Sequence, residues 1–477
     1  MIKKDKIYDV LLVGSGLSSL SFIDSYLEKN KSINVMSPQY TKKQSKRNKH
    51  VFKLLPPQMI GSENEGFSDN KINNYFYYNK INVNKNCSLF GSLEFGGLSN
   101  YWGLQIDKNI LSDIKHLRHS TKKKISKSFL ELFKKFNLLG QIKVDNKILE
   151  NPYKKDKFFQ EKFNKKTSHL LFDDPILAFQ KKNKNQISLD NINENRDKLT
   201  PKNIFQKYLK NKRIKIHNYY VKKIKKHRKG LLVVCSNGTK EKDFITKKLI
   251  LGCGTVATTK LVLDYLKIFR EIKINHHPRL ISVYLSKKRW KNKMIFQPSY
   301  FHLKSKKQQD LFTADFRPGN DSIIDAVVRF KKFLFPFKFI LGLIKQNLIF
   351  SNIFLHSKYG NLYLRLNKNN ESAEVYSKNK NINYIFKKIS KMIYSFLKST
   401  KMILPFYFNY FPGFGSDFHY FGTVPIGKKK LLSVNEKCQL SKEKNIYLID
   451  GSVFNFKKNK YPLGIIMANS RRIAKDI

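Results

Sequence analysis

The stretch VLLVGSGLSSLSFIDSYL, residues 10–27, passes from four apolar residues through a glycine-bearing turn into a helix-like pattern. A strand over Tyr8 to Val13 that turns sharply at Gly14 and Gly16 lets the backbone approach a pyrophosphate closely. A helix beginning near Leu17, with Ser15 and Ser18 beside the glycines, then points free amides at that charge. The third glycine of a GxGxxG turn serves only tight helix-to-strand packing, so Ser19 in its place is a mild change. The second strand is expected at INVMSP, and its end, about 20 residues past the turn, is where an acid ordinarily takes the ribose hydroxyls. That position is Ser37, which can bond one ribose oxygen but cannot accept two donors as a carboxylate does. Taken alone, the pattern also suits an ordinary strand, turn and helix.

With 477 residues, 41% hydrophobic and 13% aromatic, the chain can bury a large core, as two domains or one α/β body, which excludes disorder. Cys87, Cys235, Cys253 and Cys438 form no CxxC pair, which speaks against a zinc ribbon or a disulfide framework. No metal site is expected, and a reducing, cytoplasmic setting is. YDVLLVG is too short for a secretory apolar region, and no uncharged apolar run of about 18 residues suggests a spanning helix. The net charge of +58 is spread over every segment instead of being gathered into a patch or arm. No specific nucleic-acid partner is therefore expected, although so basic a surface attracts anions.

Along the chain, residues 41–85 read as a polar loop and residues 111–137 as a Lys-rich helical stretch. Residues 214–251 alternate in the manner of strands, with Asn237-Gly238 marking a hairpin. The division expected is a nucleotide-binding body from 1–110, 200–275 and 412–477, with an insertion and substrate-binding region from 111–199 and 276–411.

Several distant pieces resemble the glucose-methanol-choline (GMC) oxidoreductases. HYFGTVPIG (419–427) is similar to that family's HxxGT block, and NIYLIDGSVFNFKKNKYPLGIIMANSRRIA to its closing strand, DGS turn and last helix. KKLILGCGTVATTKLVL (247–263) resembles its second glycine turn, NHHPRL (275–280) its DHP block with His276 in the acidic place, and GGLSNYWG (96–103) its flavin-edge loop. The resemblance implies FAD, with the pyrophosphate at Gly14, Ser15, Gly16, Leu17 and Ser18 and the adenosine near Ser37 and Val221. It implies flavin contacts from Gly96, Gly97, Ser99, Asn100 and Trp102, a second turn at Gly252 and Gly254, and further contacts from Asp450, Gly451, Pro462 and Leu463. Asn100 and Tyr101 stand where some members carry a flavin-linking His, so the FAD is expected to be noncovalent.

The family's catalytic His falls on His419. Oxidising an alcohol needs somewhere for the hydroxyl proton. Transfer from a group near water's pKa of ~15.7 to an imidazole near ~6.5 is uphill by roughly 12 kcal/mol, so the proton must leave with the hydride or the alkoxide must be stabilised. The second catalytic position of the family, a His or Asn, falls on Tyr461. A phenol near pKa ~10 is no base at neutral pH. Tyr461 either steadies an alkoxide by donation or packs at the flavin edge.

The fold expected is α/β, a Rossmann-like FAD-binding domain assembled from discontinuous segments plus an α+β substrate domain with an antiparallel sheet. The function expected is oxidation of a small-molecule alcohol or sugar hydroxyl, with the electron acceptor unknown. A flavin-dependent reductase or isomerase, or a non-catalytic flavoprotein, is the alternative that Tyr461 raises. In 331–355, Lys331, Lys338, Lys345 and Asn352 recur every seven positions. This pattern is read either as a helix buried in the substrate domain or as one lying in a membrane interface, giving peripheral contact and access to a membrane-proximal substrate.

Overall fold

Val10 to Val13 are buried and form the inner part of β1 (Ile7–Val13), which leads into α1 (Leu17–Leu27) and β2 (Ile33–Met36). The computed structural model describes residues 6–38, 75–84, 87–100, 102–107, 111, 114, 117–136, 170–173, 178, 199–201, 204–205, 208, 212–289, 301–305, 312–319, 324, 328, 332–369, 371–378, 381–427, 431–457 and 461–477. Most of the loop expected over 41–85 lies outside these residues, as does Tyr101. Next come β3 (Ile81–Val83), α2 (His119–Lys135), β4 (Leu170–Asp173), β5 (Ile214–His217), β6 (Tyr220–His227), β7 (Gly230–Ser236) and β8 (Glu241–Leu251). α3 (Thr255–Leu266), β9 (Ile272–Ile274), β10 (Arg279–Ser286), β11 (Phe301–Ser305), β12 (Phe312–Pro318), α4 (Lys338–Leu343) and β13 (Leu348–Leu355) follow. The remaining elements are β14 (Leu362–Leu366), β15 (Ala373–Tyr376), α5 (Asn383–Ser399), β16 (Ile403–Tyr410), β17 (Gln439–Leu440), β18 (Glu443–Leu448) and α6 (Leu463–Asp476).

β1 is central in the first sheet. It pairs in parallel with β2 (Leu11↔Asn34) and with β8 (Leu11↔Leu249), and these neighbours pair in parallel with β5 and β18. Strands in such a sheet are covered on both faces, which explains their continuous apolar runs. β6 and β7 extend the sheet beside β8 as an antiparallel pair. The Asn237-Gly238 hairpin lies between β7 and β8, with Asn237 Oδ1 accepting from the amides of Thr239 and Lys240 and Gly238 at φ +98°.

The second sheet, in the order β16-β10-β13-β12-β11-β4 among the described residues, is antiparallel throughout. A third sheet, β3-β15-β14-β9, joins strands from both sides of the division expected from the sequence. The 331–355 stretch is not one helix. Pro336 lies in a 3-10 turn over Lys332–Phe337, and among the described residues of this stretch, which begin at Lys332, only α4 is α-helical, followed by a second short 3-10 turn over Lys345–Asn347. Residues 348–355 form the fully buried β13, where the backbone amide and Nδ2 of Asn352 donate to Asp315, so Asn352 belongs to no polar stripe.

α1 is buried over its whole length and packs against α6. Within this contact, Arg471 of α6 donates to Asp24 (2.5 Å) of α1, to Glu28 (2.8 Å) just past its end and to Glu131 (3.1 Å) of α2. Lys135 (3.0 Å) and the Tyr208 hydroxyl also meet Asp24. Removing one partner of a buried ion pair strands the other charge, at a cost of about 3–5 kcal/mol, whereas an exposed pair contributes about 1 kcal/mol or less. Arg471→Met is therefore expected to lower unfolding free energy in a denaturant titration by about 3 kcal/mol or more. Lys135→Met, at the exposed rim of the same cluster, should cost about 1 kcal/mol.

Candidate active site

β1 and β8 reach their carboxyl ends at one level (Val13↔Leu251), and both then turn at glycine. The chain leaves β1 toward β2 on one side and β8 borders β18 on the other. This is the switch point beyond which ligands bind in open α/β sheets. Gly14 has φ +105°, and a Cβ there would lie 2.3 Å from the Gly252 carbonyl oxygen, so both the conformation and the space require glycine. Ser15 Oγ accepts from the Gly96 amide (2.9 Å) and from the Ser37 hydroxyl (2.8 Å), and the Leu17 amide donates to Ser99 Oγ (3.2 Å). The first glycine turn is thereby tied to the 96–100 loop, where Asn100 Nδ2 donates to the Phe95 carbonyl.

A cavity of about 310 Å³ opens beyond these turns. The amino ends of three helices border it: α1 at Gly16, α3 at Gly254 and α6 at Pro462. In none does the N-cap residue's own side chain cap the first amides, although at α1 the Leu17 amide is taken by Ser99 Oγ. Uncapped helix amino ends carry partial positive charge and unpaired N–H groups, which suit an anion. Gly254 sits at φ +87°, and a Cβ there would project into open space. Beside it, Asp450 is buried, accepts from Thr258 Oγ1 (2.5 Å) and the Ser452 amide (3.0 Å), and has its carboxyl pushed above the usual range by burial.

The other end of the cavity is built by residues 415–422 and the sheet of β10, β12 and β13. His419 lines it, with its ring 5.5 Å from Phe354 and edge-on to Tyr461 at 6.1 Å. Asp417 arranges this end. Its Oδ1 meets His276 Nδ1 (2.9 Å), and its Oδ2 accepts from the amides of His277 (2.8 Å) and His419 (3.3 Å). The Asn361 amide donates to His276 Nε2 (3.2 Å), so Nδ1 carries the proton and donates to Asp417. Burial would raise the Asp417 carboxyl, but His276 beside it, with His419 and His277, holds it down to about 2.

Burial pushes the His419 imidazole below its ordinary value, partly offset by Asp417, and its Nδ1 has no hydrogen-bond partner among the described residues. Burial raises the Tyr461 phenol well above 10, so it stays protonated. Behind His419, the side chain of Arg279 is fully buried, and its three nitrogens have no hydrogen-bond partner among the described residues. Its guanidinium lies 5.5 Å from the Phe418 ring centroid, and burial lowers it to about 9. Phe418 itself holds φ +62°, a strained conformation for a bulky residue next to the candidate base.

One cavity brings together Gly14, Ser15, Gly16, Ser18, Gly96, Gly97, Ser99, Asn100, Trp102, Val221, Gly252, Gly254, Asp450, Gly451, Pro462, Leu463, His419 and Tyr461. Two residues expected there do not line it. Leu17 is in the core and contributes only its amide, to Ser99; Ser37 is fully buried with its hydroxyl spent on Ser15. A ribose-binding Ser37 is thus replaced by one that braces the turn, while its neighbours Met36 and Pro38 reach the cavity. Sequence reading missed Asp417, His277, Arg279 and Phe354. The signal for Asp417 was present, an acid two residues before His419 that ends an acid-free run over 375–416.

The residues fit a dinucleotide such as FAD. The uncapped helix ends suit its pyrophosphate, Gly254 leaves room for it, and Asn100 Oδ1 is a buried acceptor with no partner among the described residues. No family model and no curated protein matches the chain. Among solved structures, it is similar to pyridoxine 4-oxidase from Mesorbium loti, over 98% of this chain and 99% of that one, with a TM-score of 0.57 at 10% identity. The chain therefore has the fold of that oxidase.

Two histidines, the buried His277 and the half-buried His217, make the fold acid-sensitive. Burial holds His277 down to about 3 and His217 to about 4, whereas an unfolded chain protonates near ~6.5. Below that pH the unfolded state binds more protons. Stability is thus complete above about pH 6.5 and falls as pH drops toward 4 and 3. Denaturation midpoints measured against pH should show this decline, and His217→Gln, remote from the cavity, should flatten part of it.

Proposed function

We propose that this chain is a flavoprotein oxidoreductase of the GMC type that holds FAD noncovalently and oxidises a hydroxyl of a small-molecule alcohol or sugar. The observation that carries the reading is one cavity with three helix amino ends on one side and a half-buried His419, its imidazole held below its ordinary value, on the other. The likeness in fold to an oxidase supports it. Gly14 to Ser18, Gly254 and Asp450 would hold the phosphate and ribityl parts, and Gly96 to Asn100, Trp102, Pro462 and Leu463 the flavin ring. Bound FAD supplies the hydride acceptor.

The chain's own residues deal with the proton. His419 accepts it from the substrate hydroxyl, and burial keeps the imidazole neutral and ready to do so at pH 7. Asp417 fixes the backbone that carries His419. Tyr461, protonated at all ordinary pH values, donates toward the oxygen that loses the proton.

Acid precipitation of the purified holoprotein should release all flavin to the supernatant; colour kept in the pellet would contradict noncovalent binding. His419→Ala should slow anaerobic bleaching of the flavin by substrate about 100-fold or more while flavin stays bound. In the wild type, that rate should be constant near neutrality and fall only at acid pH, below ~6.5, as His419 becomes protonated. Tyr461→Phe should lower the same rate; an unchanged rate would leave Tyr461 a packing residue.

A further inference from the structure

The segment from Lys332 to Ile344 is rooted in the core by Leu334, Leu341 and Ile344, which pack on Ile281 and Val283 of β10 and Leu348 and Phe350 of β13. Its other large side chains face outward. Phe333 is 70% exposed, Phe335 68%, Phe339 76% and Leu343 66%, with Phe337 and Ile340 also exposed. The edge strand β16 adds exposed Leu404 and Phe406, and its Phe408 and Tyr410 pack on the same core cluster. Soluble surfaces rarely gather so many large apolar groups without an occupant.

Charge identifies the occupant. Residues 326–370 and 375–416, which include the whole patch, contain no Asp or Glu. Lys338, Lys398 and Lys401 are exposed within these stretches. The exposed run Lys287, Lys288 and Arg289 leaves the end of β10 at the patch, where Asn347 Nδ2 donates to the Ser286 carbonyl and the Lys287 amide to the Met402 carbonyl. A second copy of this chain would bring like charge against like charge around the same apolar centre, whereas an anionic bilayer offers hydrocarbon to the rings and negative headgroups to the lysines.

We propose that this face is a membrane-docking surface that seats Phe333, Phe335, Phe339, Ile340 and Leu343 in the interface of an anionic lipid bilayer. No helix among the described residues is long and apolar enough to cross a membrane, so the attachment is peripheral. The patch begins at the Leu348 end of β13, and Phe354 at the other end lines the cavity. At ~3.3 Å per residue this holds the cavity about 20 Å from the docking patch. The inference does not depend on the redox reading.

The test is cosedimentation of the holoprotein with phosphatidylcholine vesicles, with and without about 30% phosphatidylserine, at about 0.1 M and about 1 M salt. Wild type should pellet with the anionic vesicles, less at high salt but not lost, because salt screens charge and leaves the apolar part. The double variant Phe339→Asp, Ile340→Asp, checked for an unchanged thermal midpoint, should partition roughly 100-fold less. Phe339→Leu, which stays apolar, should partition nearly as wild type does. Equal partition of the wild type and the double variant, or no binding by wild type, would overturn the proposal. So would a lipid-free wild-type dimer in sedimentation velocity that the double variant dissolves.

Discussion

The architecture depends on a close approach between two strands more than two hundred residues apart in sequence. β1 and β8 pair in parallel and end together, with the Gly252 amide on the Val13 carbonyl and no room for a Cβ at Gly14. Because both strands end in glycine at the same level, the helices that follow them start side by side. Their first turns then border one cavity. The third amino end, that of α6, is drawn to the same place because β18 extends the parallel run beside β8. An anion-receptive cavity follows from strand register before any side chain is considered.

The opposite wall is organised by buried charge instead of backbone. Asp417 is fully paired, with a histidine whose tautomer its other neighbour fixes and with two backbone amides. Arg279 is its opposite, a buried cation near Asp417 and Asp315 that hydrogen-bonds to neither. A buried donor without a partner costs about 1–3 kcal/mol, more when charged, and Phe418 adds backbone strain beside it. These unfavourable features gather beside His419.

What could be read from sequence followed a physical division. The strand, turn and helix at residues 7–27 were legible because parallel strands show continuous apolar runs and glycine turns have few substitutes. The hairpin at Asn237-Gly238 was legible for a similar local reason. Ser37 was misplaced because whether a hydroxyl faces a ligand or a neighbour is decided by a residue twenty-two positions away, Ser15. The seven-residue spacing from 331 to 355 suggested one helix, but the stretch is divided into 3-10 turns, the first containing Pro336, a short helix and the buried strand from Leu348 to Leu355. Arg279 carried no local sign, since its isolation arises only when β10, Phe418 and the 415–422 segment meet.

The cavity takes its walls from residues as far apart in sequence as Val13 and Ile466. A ribosome delivers Val13 first and Ile466 last, separated by roughly half a minute or more at ordinary rates of synthesis. During that interval α1, which is buried over its whole length in the finished fold, has no α6 to cover it. Its Phe22 and Tyr26 are exposed to chaperones and to other nascent chains. The cavity cannot form before the residues up to Ile466 have been made, so any ligand it holds is captured only after that point.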